Sequence, residues 1–186
     1  MPRLTEATRE QQRRRFTDAV RRCAARDGLA ATSMDTIRRE AGVSAGAMYR
    51  YFATKDDLIR AAIAESLLEV GAIIDDAAKA GHESAAAFVE RMLEALDGFC
   101  RDADGPDLYR VAVQGWAHAQ SDPGTAEVIQ TGFAELVGRL TTAAQSWSSE
   151  PQAVGATLGR LVAGHVVLRA AGSETTPAMI ATGLPG

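Results

Sequence analysis

Residues 33–52 read S-M-D-T-I-R-R-E-A-G-V-S-A-G-A-M-Y-R-Y-F, and the reading of this run decides the fold. Ser33, or Thr32 before it, can cap a short helix that runs to about Ala41. Gly42 stops that helix, because a tight reversal needs a residue free to take positive φ. Ser44 caps a further helix to about Phe52. Ile37, Val43, Met48 and Phe52 are spaced to face inward and lock the two helices together. That leaves Ala45, Gly46, Ala47, Tyr49, Arg50 and Tyr51 facing outward.

Helical periodicity continues on both sides of this run, with no strand alternation of useful length. Before it, Phe16, Val20, Cys23 and Ala24 predict a first helix from about Arg9 to Asp27, ended near Gly28. After it, Thr54-Lys55-Asp56-Asp57 resembles a capping box and opens a long helix carrying Ile59, Ile63, Leu67, Val70 and Ile74. Four more helices are expected. They are marked by the Phe88–Cys100 face, by Leu108–Gln120, by the Ile129–Trp147 stripe, and by the run after Ser149-Glu150-Pro151-Gln152, read as a capping box. The tail from Gly172 is rich in Thr, Pro and Gly and is expected to be loose. The expected architecture is all-α: a three-helix head over residues 1–55, a five-helix body over residues 56–172, and a tail over residues 173–186.

The 186 residues are 46% hydrophobic and 24% charged, an ordinary globular balance that argues against a disordered chain. Cys23 and Cys100 are too few for a disulfide scaffold or a thiolate zinc site. The start leads into charge and not into an apolar signal core, and the stretch Leu161–Gly172 is too short to span a bilayer, so a cytoplasmic protein with no membrane partner is expected. The net charge of −4 hides an asymmetry: residues 1–60 carry 13 basic and 8 acidic residues, whereas residues 61–186 carry 7 and 16. A basic first third on an acidic body points to a polyanion partner for that third, or else to a set of solvated faces.

The outward set on the second helix of the motif resolves that choice. Small Ala45, Gly46 and Ala47 let the helix start approach another surface closely, where its free N–H groups and the Ser44 hydroxyl suit a phosphate oxygen. Tyr49 and Tyr51 offer hydroxyls on rigid stems, and Arg50 can fork onto a guanine edge. Lys55, in the first turn of the next helix, offers a second phosphate contact. Phosphate clamps flanking a few base contacts are what a helix-turn-helix reader needs. Ser33, Thr36 and Arg38 complete the candidate DNA-binding set, Arg38 being either a DNA contact or simply solvated. Of the arginines before the motif, Arg3 to Arg15 are the better candidates for backbone attraction, and the rest read as a solvated face.

The run T-S-M-D-T-I…A-G-V-S-A-G-A-M-Y-R-Y-F-A-T-K-D-D-L resembles the DNA-binding signature of TetR-type transcriptional regulators, densely over Arg9 to Ile63. In helix count and size the remainder resembles them too. The resemblance implies a homodimer on a palindromic double-stranded operator, a repressor role, and release by a small-molecule effector held in the body. It implies that Ser44, Gly46, Tyr49, Tyr51 and Lys55 touch phosphates and that Ala45, Ala47 and Arg50 face bases. Where the family usually has Ala, this chain has Arg38.

For the effector, the body offers Met92, Leu96 and Phe99 opposite Tyr109, Val113, Gln114 and Trp116, a set that suits either a small-molecule cavity or a plain core. For the dimer it offers the stripe Ile129, Phe133 and Leu140 with the small-residue ridge Gly155, Gly159 and Ala163, which suits either a two-fold four-helix interface or packing within the chain. His165 reads as a satisfied core histidine, and no zinc spacing exists. No cofactor is expected. An enzyme finds no support in a phosphate loop, a nucleophile elbow or a metal site. The competing reading is an architectural DNA protein, or a regulator whose body answers to a protein partner.

Overall fold

The computed structural model describes residues 6–81, 84–101 and 105–184. Among them it has nine helices and no strand: α1 (Glu6–Asp27), α2 (Met34–Ala41), α3 (Ala45–Tyr49), α4 (Lys55–Lys79), α5 (Ala85–Cys100), α6 (Leu108–Ala119), α7 (Pro123–Ala144), α8 (Pro151–Ala170) and α9 (Pro177–Thr182). No described helix is long and apolar enough to cross a membrane.

The local chemistry of the head explains its turns. Ser33 caps α2 by accepting from the Thr36 N–H at 3.1 Å. Gly42 closes α2 in the left-handed region, φ 64°, and its N–H reaches the Arg39 carbonyl at 3.0 Å. Ser44 then caps α3 through the Ala47 N–H at 3.3 Å. Thr54 and Asp57 form a reciprocal capping box at the start of α4. Phe16, Ala19, Val20, Cys23, Ala24, Ile37, Met48 and Phe52 close one core. Leu58, Ile59 and Ala62 of α4 belong to it as well, so the head's core runs past residue 55 into the first two turns of the long helix.

A second core fills the body, centred on Ile74, Phe88, Val89, Met92, Leu93, Leu96, Tyr109 and Leu140. Helix α7 packs along both α4 and α8, with α5 against α4 and α6 against α7 and α8. Two glycines set how closely. A Cβ on Gly155 would lie 2.8 Å from the Thr141 Cα, and one on Gly159 would lie 2.7 Å from the Val137 Cγ2. The ridge of Gly155, Gly159 and Ala163 is therefore turned into the chain against α7, and the dimer interface assigned to it is corrected on that point. The same holds for Leu140, which is buried in the body core.

Three further expectations differ from the structure. The tail is not loose throughout: Thr176 caps α9 through the Met179 N–H, Ala181 is buried, and Ile180 and Leu184 pack on the body core against α5. A Thr-Pro start and apolar residues at helical spacing give this segment both a cap and a buried face. The start of α8 has no capping box, since its N-cap is Glu150 without a side-chain bond and Pro151 removes one orphan N–H. Helix α1 begins at Glu6, before Arg9.

Candidate nucleic-acid interface and body cavity

The outer surface of α2 and α3 carries most of the proposed DNA-binding residues. Ser44, Ala45, Gly46, Tyr49 and Arg50 are exposed, with Tyr49 58% accessible, while Met48 beneath them is sealed. Ala47 is half-buried. The Arg50 side chain makes no hydrogen bond or ion pair among the described residues, so its guanidinium is uncommitted. Tyr51 is turned differently from the expectation. Helix α3 ends at Tyr49, and the Tyr51 N–H donates to the Met48 carbonyl at 2.9 Å. This tight turn lays the ring half-buried against Phe16, at 5.5 Å between centroids.

Other candidates are already engaged. The Ser33 and Thr36 hydroxyls pair at 2.9 Å at the α2 cap. Arg38 donates to Asp35 at 2.8 Å and to the Val43 carbonyl at 3.2 Å, so it holds the turn and is neither free nor merely solvated. Arg39 also grips Asp35, and the two guanidiniums, Arg39 first, hold that carboxyl below its usual range. Lys55 sends its ammonium to the Thr32 carbonyl at 3.0 Å and the Leu29 carbonyl at 3.3 Å, which braces the loop between α1 and α2 and leaves at most one proton for a phosphate.

The arginines of α1 divide in the same way. Arg9, Arg14 and Arg15 are exposed, Arg14 lying beside Glu10 and Glu65. Arg13 stacks over the Phe52 ring at 5.0 Å. Arg22 and Arg26 share Glu40, and Arg21 is buried on Glu69. Arg3 lies outside the described residues.

Polar contacts join head to body. The Gln114 side chain of α6 accepts from the Leu29 N–H and donates to the Ala24 carbonyl at 3.2 Å, so it completes the end of α1. Arg60 of α4 pairs with Asp57 and with Asp122, the N-cap of α7, both at 2.7 Å. His118 of α6 lies 3.3 Å from Asp56. Gln114 was placed by sequence in a ligand set. No local spacing pairs it with the end of α1, because 85 residues separate Leu29 from Gln114.

Between these contacts and the body core lies a cavity of about 140 Å³. Of the residues proposed for a ligand, Leu96, Phe99 and Trp116 line it. Met92, Tyr109, Val113 and Gln114 do not. Met92 is buried in the body core. The Tyr109 hydroxyl donates to Asp97, and burial first, then that bond, pushes it well above the ordinary tyrosine range. Asp97 also meets His165 at 2.7 Å and Arg169 at 2.9 Å, which makes His165 a partnered core histidine. Ile129, Phe133 and Ala163, assigned to a dimer face, are cavity wall. They are corrected with the glycine ridge, because the stripe on α7 turns toward α4 and α8 and not outward. Sequence reasoning missed Arg21, Ser66 and Cys100 on the same wall. Burial, chiefly, pushes the Cys100 thiol up to about 12, so it stays protonated.

Residues 16–62 match the family described as bacterial regulatory proteins, tetR family. The chain is 36% identical over 77 residues to the HTH-type transcriptional repressor KstR of Mycolicibacterium smegmatis, a stretch that spans 41% of this chain and 37% of that repressor. Among solved structures it is similar to GusR of Salmonella enterica, at a TM-score of 0.67 and 22% identity over 98% of this chain and 92% of that one. It is also similar to a TetR transcription regulator of Haloarcula marismortui, at a TM-score of 0.70 and 19% identity over 92% and 93%. At these identities the solved structures share its fold.

Proposed function

We propose that this chain is a TetR-type regulator that binds an operator through its head as a two-fold dimer, represses there, and leaves when a small, largely apolar effector fills the body cavity. The observation that carries the reading is the end of α3: an exposed phenol and an uncommitted guanidinium beside a nearly bare helix start, on a fully packed head. Arg50 reads a base edge, the Tyr49 hydroxyl binds a phosphate, and Ser44 with the backbone at Ala45 and Gly46 lies close to the same strand. Arg9, Arg14 and Arg15 add sequence-independent attraction. The protein works in the cytoplasm, on DNA.

Dimerisation uses the outer faces of α7 and α8. Their inner faces are spent within the chain, whereas Ala134, Gly138 and Thr142 on α7 and Gly164, Val167 and Leu168 on α8 are exposed. The cavity wall includes Val20, Arg21 and Leu29 of the head together with residues of α4 to α8, so filling it pushes head and body apart. Helix α4 begins at the head and forms part of the wall, and a shift of it changes the distance between the two recognition helices. On DNA that distance is about 34–36 Å.

Selection of bound fragments from random duplexes tests the reading. The expected product is an inverted repeat with half-sites about 10–10.5 base pairs apart or a multiple of that. Equal, salt-dependent capture of all duplexes overturns it. Equal head spacing in ligand-free and ligand-bound crystals overturns the coupling.

A further inference from the structure

The cavity wall is mostly apolar, and among its lining residues one is charged. Arg21, from α1 of the head, reaches the wall with a side chain only 7% exposed. Its terminal nitrogens are spoken for: one Nη lies 2.8 Å from Glu69 and the other 3.5 Å from Asp18. Its Nε–H is buried and has no partner. Among the other polar groups on the wall, the Trp116 indole N–H is a further, uncharged donor. The Ser66 hydroxyl donates to the Ala62 carbonyl at 3.0 Å, and Cys100 carries only a weak S–H. A buried donor left without an acceptor is costly, and the side chain that carries this one lines the cavity.

Charge decides what fits. The guanidinium already faces two carboxylates, so an anionic ligand would bring a third negative charge to one cation, inside an apolar wall. An uncharged oxygen acceptor completes the Nε–H without that repulsion. Volume sets the size, since an apolar cavity of about 150 Å³ accommodates benzene, and this one measures about 140 Å³. Taking the cavity as the effector site proposed above, we infer that its ligand is an uncharged, ring-sized apolar molecule bearing one carbonyl or ether-type oxygen, and that Arg21 Nε reads that oxygen. Because Arg21 belongs to α1 and is bridged to α4 through Glu69, the reading residue lies on the joint between head and body.

Three probes of matched size test this on the full chain by calorimetry without DNA, so that the outcome does not depend on operator binding. Acetophenone has the ring and the oxygen, ethylbenzene lacks the oxygen, and benzoate adds the charge. Acetophenone is expected to bind about ten-fold or more tightly than either of the others, the scale of a hydrogen bond from a charged donor. Arg21→Lys keeps a cation for Glu69 but has no Nε–H, and in it acetophenone and ethylbenzene are expected to bind equally. In ¹⁵N spectra of the unmodified chain, the Arg21 Nε–H resonance is expected to shift with acetophenone and stay with ethylbenzene, a readout that stands even if the variant does not fold. Equal binding of acetophenone and ethylbenzene, tightest binding by benzoate, or no binding by any of the three overturns the inference. Failure to select an operator, with the acetophenone preference intact, overturns the proposed function and leaves this site standing.

Discussion

Head and body bury apolar side chains to different ends. In the head, Phe16, Ile37, Met48 and Leu58 are fully enclosed, and the rings of Phe16 and Phe52 meet edge to face at 6.0 Å. In the body, Phe99, Trp116 and Phe133 are only partly buried and face a cavity. A packed core fixes the shape of a surface that must match DNA, whereas an unfilled one leaves room for a guest at the expense of lost dispersion contacts. The largest test of this contrast is truncation. Phe16→Ala should lower unfolding stability by about 3–5 kcal/mol. Phe133→Ala, whose ring already borders empty space, should cost less than half as much and enlarge the cavity. Urea denaturation of both variants checks this, and equal losses would erase the distinction.

The head was also the more legible region. Its turns are made by local chemistry that a sequence displays: Ser33, Gly42, Ser44, Thr54 and Asp57 occupy their capping positions in the structure. Tyr51 was misjudged because a helix one turn shorter than expected rotates it inward. Lys55 is engaged by backbone carbonyls, which every residue has and no pattern marks, whereas Arg38 is engaged by Asp35 as well as by the Val43 carbonyl. In the body, periodicity gave the helices but could not say which of two neighbours a stripe faces. Ile129, Phe133 and Ala163 therefore looked like a dimer face and are cavity wall. Arg21 was hidden among surface arginines, since nothing local distinguishes a guanidinium that a distant Glu69 draws inward.

Two intermediate effects separate the surface of the head from its joint. Arg50→Ala should relax preference at one base pair of the operator by about 1–3 kcal/mol, while Tyr49→Phe should weaken all sequences alike. Gel-shift titration against a base-substituted series distinguishes the two patterns, and their reversal would exchange the roles of the two residues. Gln114→Leu leaves the Leu29 N–H without its acceptor and should cost about 1–3 kcal/mol of stability. Because that bond joins the end of α1 to α6, the variant should also expose the α1–α2 loop to faster amide exchange while exchange in α7 and α8 stays unchanged. Uniform acceleration across the chain would mean that head and body open together.

The smallest effect concerns the acid limb of stability. Asp122 caps α7 through the Thr125 N–H at 2.8 Å and hydroxyl at 2.6 Å and pairs with Arg60 of α4. The Thr125 hydroxyl first, with Arg60 contributing, holds its carboxyl down at about 2. In the unfolded chain an aspartate titrates near pH ~3.9. A folded-state value below the unfolded one means that the charged group adds stability at all pH values above about 4, and that this contribution fades as pH falls through about 2. Asp122→Asn keeps an acceptor oxygen for the cap but removes the charge. The variant should therefore lose a little stability at pH 7 and show a flatter decline between pH 4 and pH 2, followed by thermal melts across that range. Asp35, Glu40 and Asp57 in the head are held low by their arginines and, for Asp57, by Thr54 first. If these head carboxylates alone set the acid limb, Asp122→Asn would leave its slope unchanged, and the joint between α4 and α7 would have no part in the response to acid.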